Sequence, residues 1–255
     1  LQENNQKNTK ESSSFKGADL GYKNLDLKKH LLPWIKKIVE EAKKRNKTLI
    51  AFSHYPMCDF NDGASAEIAA FMGPKKWQLQ RLPPTEISDQ LADTGLKIHF
   101  GGHMHINDTG IHTSKSGQTL VNVQTPSLAA YVPAYKIATI KTDELIEVET
   151  ITVKNVSRFN ELFSLYELEY SHLKKHNATN LWTKSILKTK NYLEFTDWHL
   201  NELVRLRFLP EDWNEEFVAF LRNKTGLELA LLTSKNDSEL LKFINKNKKT
   251  LKNWT

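Results

Sequence analysis

Residues 96–105 read LKIHFGGHMH and combine the pattern of a short β-strand with a histidine-rich turn. Apolar and polar residues alternate over 96–100, which is typical of a strand with one buried face. Two glycines follow and allow the chain to turn sharply. His103 and His105 are two positions apart, so their imidazoles are expected on the same side of the turn. The stretch therefore predicts a strand that ends in a pair of potential metal ligands.

Residues 48–56 read TLIAFSHYP and repeat this arrangement upstream. Their apolar run suits a strand that is buried on both faces, and it ends just before His54. Open α/β sheets bind ligands at the carboxyl ends of their parallel strands. We therefore expect His54, His103 and His105 at the same edge of one sheet.

The two motifs, Ser-His-Tyr-Pro and Gly-His-Met-His, resemble the second half of the catalytic domain in the calcineurin-like metallophosphoesterase superfamily. Both occur in the family's order, each after a strand, and the resemblance covers about residues 27–153. It implies an α/β (α+β) fold with two packed sheets and hydrolysis of phosphomonoesters or phosphodiesters. By the same resemblance, His54 and His103 correspond to ligands of the second metal, and His105 to a ligand of the first.

The resemblance also implies a centre of two divalent metal ions that activates water for attack on phosphorus. Histidine ligands favour Mn, Fe or Zn, because Mg and Ca prefer all-oxygen shells. The substrate is then a small phosphate ester. Tyr55 and Asn107 are candidate substrate contacts, although Tyr55 also suits core packing and Asn107 also suits a turn or the orientation of His105.

The family's amino-terminal motifs, Asp-x-His, Gly-Asp-x-x-Asp and Gly-Asn-His, do not occur ahead of the two histidine motifs. Without them, no carboxylate bridges the two metals. The sequence is therefore interpreted as the carboxyl-terminal half of a catalytic domain, with little turnover of its own.

Two other interpretations remain open. The chain is a non-catalytic relative that acts as a binding module, or it is a mononuclear hydrolase in which Asp59 or Asp62 completes the histidine ligands. Both carboxylates also suit turn and cap positions, which is the simpler interpretation. Cys58 is interpreted as a small apolar filler, with a soft metal ligand as the alternative.

Composition limits the class of partner. The chain has 36 basic and 30 acidic residues, a net charge of +6, spread evenly along its length. Even spreading argues against a dedicated nucleic-acid surface, which would concentrate basic residues on one element. No apolar run approaches the ~20 residues that cross a bilayer.

The pattern divides the chain into an α/β part, residues 1–154, and a mostly helical part, residues 155–255. Helical spacing runs over 27–46, and alternation over 111–153 predicts a β-meander that forms the second sheet. Pro210, Glu211 and Asp212 have the composition of a helix start. The helical part is assigned to oligomerisation, a partner or a lid.

The remaining histidines fit surface positions. His99 and His112 alternate away from apolar neighbours on their strands and are predicted to face solvent. His172 and His176 are four apart on a predicted helix and are interpreted as an exposed pair, although this spacing is able to bind a metal.

Overall fold

The computed structural model describes residues 21–22, 29–142, 145–178, 181–208, 213, 215–234 and 237–253. They form a mixed α/β structure with a helical carboxyl-terminal region, which confirms the predicted fold class. The chain has two compact units, Leu1–Glu202 and Leu203–Thr255. The assignment of separate roles to residues 1–154 and 155–255 stays a prediction.

The first unit carries the sheets, and the second is helical. The elements of the first unit are α1 (Leu31–Lys44), β1 (Ile50–Phe52), α2 (Ser65–Met72), α3 (Thr85–Ala92), β2 (Ile98–Gly101), β3 (Asp108–Thr113), β4 (Thr119–Gln124), β5 (Ala134–Ile140), β6 (Ile146–Thr152), α4 (Phe163–Lys175) and α5 (Tyr192–Leu203), which ends at the boundary. Short 3-10 helices lie at Leu79–Arg81 and Lys184–Lys188, and a π-helical segment, Val204–Phe208, follows α5. The described helices of the second unit are α6 (Glu215–Arg222), α7 (Gly226–Thr233) and α8 (Ser238–Lys252).

The main sheet has the strand order β1-β2-β4-β3. Strands β1 and β4 pair with β2 in parallel, and β3 pairs with β4 in antiparallel. The predicted β-meander is therefore wrong in part, because β3 and β4 belong to the main sheet and only β5 and β6 pair in the second. Leu120 and Val123 of β4 are both buried, and such a strand suits the interior of a sheet.

The hydrophobic core lies between α1 and the main sheet. Leu31, Ile35 and Val39 of α1 pack with Leu91 of α3 and Leu120 of β4. This is the apolar face that the helical spacing predicts. Residues 27 and 28 at the predicted start of α1 lie outside the described residues, as does the predicted helix start at 210–212.

A polar cluster lies on the same face of the main sheet as this core, because Asn122 is two residues from Leu120 on β4. Register places His99 of β2 beside Asn122 of β4, and Asn122 beside Gly110 of β3. His99 and Asn122 are fully buried, with His99 Nδ1 at 2.7 Å from Asn122 Oδ1. The backbone N–H of Met57 also donates to Asn122 Oδ1, at 2.9 Å. Since that oxygen only accepts, the proton of neutral His99 resides on Nδ1.

The prediction that His99 faces solvent is thus wrong. The loop after β1 covers this face of the sheet, and alternation along a strand does not reveal which faces are covered. His112 is also not solvent-facing, since its side chain is only 19% exposed and its Nε2 lies 2.8 Å from Asp89 Oδ1 of α3. His172 and His176 are exposed, as predicted, with ring centroids 4.4 Å apart.

Gly110 allows the covering loop to lie directly on the sheet. A Cβ at this position would lie 2.5 Å from the carbonyl oxygen of Asp59 and 3.0 Å from Cα of Phe60. Both contacts are with backbone atoms, which cannot rotate away. Glycine is therefore required at position 110 by space.

None of the described helices is both long and apolar enough to cross a bilayer.

The buried His99 makes the fold sensitive to acid. Burial lowers its pKa from 6.5 to about 4, against a smaller opposing effect of the Asn122 hydrogen bond. Between pH 6.5 and pH 4 the unfolded chain takes up a proton that the folded chain does not, so stability falls as pH falls. We expect this group to remove roughly 3 kcal/mol between pH 7 and pH 4. Urea denaturation of His99→Gln should show a shallower pH dependence than the wild type, whereas His172→Gln should not. Equal slopes for His99→Gln and the wild type would contradict the assignment.

An alanine substitution tests the close contact between Gly110 and the backbone of the covering loop. We expect Gly110→Ala to lower the free energy of unfolding by about 1–3 kcal/mol, the usual cost of overpacking. Gly117→Ala is the control, since its φ of 85° is left-handed but no heavy atom lies within 4 Å of the added Cβ. It should cost only about 1 kcal/mol of backbone strain. A smaller loss at 110 than at 117 would argue against the close approach.

Candidate metal centre

The histidine motifs meet because β1 and β2 are parallel neighbours in register. Phe52 pairs with Phe100 at the carboxyl ends of these strands, and their rings stack at a centroid distance of 5.3 Å. The chain then continues into the loops of His54 and His103. The backbone N–H of Gly102 donates to the carbonyl oxygen of His54 at 3.0 Å, so the two loops are tied together directly.

Two imidazole nitrogens face each other across these loops. His54 Nε2 lies 2.8 Å from His103 Nδ1. Two nitrogens on one metal ion, with bonds of about 2.0–2.1 Å, lie roughly 2.9–3.4 Å apart. Burial lowers the pKa of His54, and the charge of His105 lowers it further. His54 is therefore held towards its neutral form, which is the form that binds metals.

The turn that carries the Gly-His-Met-His motif is strained. His103 and His105 have left-handed backbones, with φ of 62° and 56°. The N–H of Met104 donates to the carbonyl oxygen of Gly102 at 2.7 Å and closes a three-residue turn centred on His103. Each left-handed residue other than glycine costs about 1–2 kcal/mol, and such strain concentrates at functional sites.

Tyr55 and Gln78 also lie beside His103. The Tyr55 ring lies 4.6 Å from the His103 ring and 4.8 Å from the His54 ring, between centroids. His103 Nε2 donates to Gln78 Oε1 at 3.4 Å. An oxygen partner favours the tautomer with the proton on Nε2, in which the lone pair of Nδ1 faces His54. The sequence pattern contains no signal for Gln78, which lies in the segment between the two motifs.

Asn107 connects the histidine turn to the second sheet. Its Oδ1 accepts from Lys136 Nζ of β5 and from Thr150 Oγ1 of β6, the latter at 3.0 Å. Lys136 also donates to Thr150 Oγ1 at 2.8 Å. The Asn107 oxygen thus has two partners on β5 and β6. Its predicted role towards substrate or His105 stays a prediction.

The described residues supply only part of a metal site. Asp59 accepts from the backbone N–H of Asn61 at 2.8 Å, as a turn residue does, and Asp62 has a φ of 50°. In the part of the chain that the structure describes, no three His, Cys, Asp or Glu side chains converge to hold a metal ion. Among these residues, the facing nitrogens of His54 and His103 have no carboxylate beside them that would complete a metal site.

Cys58 and the segment from Asp197 to His199 contain potential metal ligands by residue type, but they do not belong to the candidate centre. Cys58 is fully buried, and burial, with a smaller effect of Asp59, raises the pKa of its thiol to about 12. It is thus a core residue. Residues 197–199 match the pattern Asp-x-His, but they lie within helix α5 and follow both histidine motifs. In the family, this motif precedes the histidine motifs.

The left-handed turn makes a prediction about stability. We expect His103→Gly to be more stable than His103→Ala by about 1 kcal/mol, because glycine adopts positive φ without strain. Position 104 is the control, since Met104 is absent from the residues with positive φ. There, Met104→Gly should be less stable than Met104→Ala. Thermal or urea unfolding of the four variants checks this, and the same order at both positions would refute a strained turn.

Comparison with known proteins does not identify a family for this chain. No protein-family model matches the chain, and no curated protein matches it. The metallophosphoesterase resemblance therefore depends on the two histidine motifs and on the geometry around them.

Proposed function

We propose that the protein contributes half of a binuclear metallophosphoesterase centre. In this proposal His54 and His103 bind one divalent metal ion and His105 binds the other. The supporting observation is the 2.8 Å approach of His54 Nε2 to His103 Nδ1 at the shared edge of two parallel strands. The described residues supply no carboxylate to this pair, and the proposal assigns the carboxylate ligands to the family's Asp-x-His, Gly-Asp-x-x-Asp and Gly-Asn-His motifs.

The imidazoles need little rearrangement to bind a metal ion. The oxygen of Gln78 favours the His103 tautomer that has its proton on Nε2. In this arrangement His54 donates a hydrogen bond from Nε2 to His103 Nδ1. A change of tautomer that moves this proton to His54 Nδ1 leaves Nε2 able to bind a metal ion. Neutral imidazoles suit Mn, Fe or Zn. When bound, a pair of such ions lowers the pKa of water and polarises a phosphoryl oxygen.

The proposed substrate is a small phosphate ester. A net charge of +6 favours anionic ligands in general. Tyr55 lies against both histidine rings, where its own ring could stack on an aromatic leaving group. We assign a partner or oligomer contact to the helical part, since Leu165 and Leu168 of α4 are more than half exposed.

Metal binding by this chain tests the proposal. The exposed His172–His176 pair is a competing site, so the titrations use a His172→Ala background. We expect Zn²⁺ to bind with a Kd in the micromolar to millimolar range, as suits two or three ligands, and His54→Ala or His103→Ala to weaken it at least tenfold. Isothermal titration calorimetry measures this, and His112→Ala is the matched control. Unchanged affinity in His54→Ala and His103→Ala would refute the ligand assignment.

Hydrolysis of an aryl phosphodiester gives the second test. The chain alone should be nearly inactive, and a longer chain that includes the carboxylate motifs should bind about two metal ions and turn over the substrate. His54→Ala and His105→Ala in that longer chain should abolish turnover. Absence of metal in both chains would favour a non-catalytic binding module.

A further inference from the structure

The loop that carries His54 has no regular secondary structure and is held by side chains. Residues 53–58 lie outside the strands and helices. Ser53 Oγ lies 2.8 Å from His99 Nε2 and 3.0 Å from the carbonyl oxygen of Tyr55. Tyr22 donates its hydroxyl to Ser53 Oγ at 2.7 Å. Ser53, the residue before His54, is therefore held against β2 through His99.

The residues after His54 are fixed in the same way. The backbone N–H of Met57 donates to Asn122 Oδ1 of β4, at 2.9 Å. Asn122 Oδ1 also accepts a hydrogen bond from His99 Nδ1, and the Ser53 hydroxyl proton is shared between His99 Nε2 and the carbonyl oxygen of Tyr55. One continuous chain of hydrogen bonds thus joins both flanks of His54 to two adjacent strands.

We propose that His99 and Asn122 are positioning residues for the His54–His103 pair. They touch neither imidazole of the pair and act through Ser53 and Met57. Outer groups of this kind typically control metal affinity by 10–100-fold, because they fix the orientation of the ligands. The inference rests on the proposed metal-binding function of His54 and His103.

The hydrogen bonds of this buried network to the His54 loop support a role beyond filling space. His99 and Asn122 are fully buried polar side chains, and apolar residues of the same size would avoid their desolvation cost. The neighbouring Gln124 is equally buried, and among the described residues neither polar atom of its carboxamide, nor Nδ2 of Asn122, has a hydrogen-bond partner. Burial alone thus does not distinguish these side chains, but only His99 and Asn122 are bonded to the loop of His54.

Substitutions at Asn122 and Gln124 separate positioning from packing. Asn122→Leu removes the acceptor for Met57 and His99 but keeps the branching at Cγ, Asn122→Asp retains the acceptor, and Gln124→Met is the matched control on the same strand. In the His172→Ala background we expect Zn²⁺ affinity to fall 10–100-fold in Asn122→Leu, to recover to within a few-fold in Asn122→Asp, and to stay unchanged in Gln124→Met. Circular dichroism checks that each variant is folded, and His99→Gln provides a second test if Asn122→Leu is not.

A metal-free measurement separates this inference from the proposed function. The imidazole ¹⁵N shifts of His54 and His103 report the tautomers that their mutual hydrogen bond fixes. We expect these shifts to move to tautomer-averaged values in Asn122→Leu and to remain in Gln124→Met. If the wild-type protein shows the shifts of fixed tautomers but does not bind Zn²⁺, the proposed function is overturned and the positioning role is not. A folded Asn122→Leu variant with wild-type shifts and affinity would overturn the positioning role.

Discussion

The parallel pairing of β1 with β2 is the constraint on which the candidate centre depends. It pairs Ile50 with Ile98 and Phe52 with Phe100, so both strands end at the same level. A slip by one residue would turn every side chain of one strand to the other face of the sheet. The loops of His54 and His103 meet only in the observed register.

Close approach of the loop to the sheet is the second constraint. The loop after β1 lies against β3 because Gly110 carries no side chain. A Cβ at Gly110 would lie 2.5 Å from the carbonyl oxygen of Asp59 in this loop, whereas a Cβ at Gly101 would meet Cα of Pro56 only at an ordinary contact distance of 3.4 Å. Polar side chains then become buried beneath the loop, and Asn122 satisfies a backbone N–H of the loop. Gly110 and the buried amide of Asn122 are two parts of one arrangement.

The sequence predicts those features that depend on local pattern. The strands, the helix α1, and the two histidine motifs at one sheet edge all follow from apolar periodicity and from the glycines after β2. The burial of His99 does not, because it depends on a loop that crosses the sheet from elsewhere in the chain. The order of β3 and β4 and the contacts of Gln78 and Asn107 depend on pairings between residues far apart in sequence. Such pairings leave no periodic signal in one sequence.

The left-handed histidines have a consequence for how this protein can change. The left-handed backbone of His103 and His105 reduces the stability of the fold, whereas glycine at either position would relieve the strain. Selection for thermal stability alone would therefore favour loss of the imidazoles. A stabilised variant of this chain has to be screened for ligand binding at each round, because improvement in stability and erosion of the site share the same substitutions.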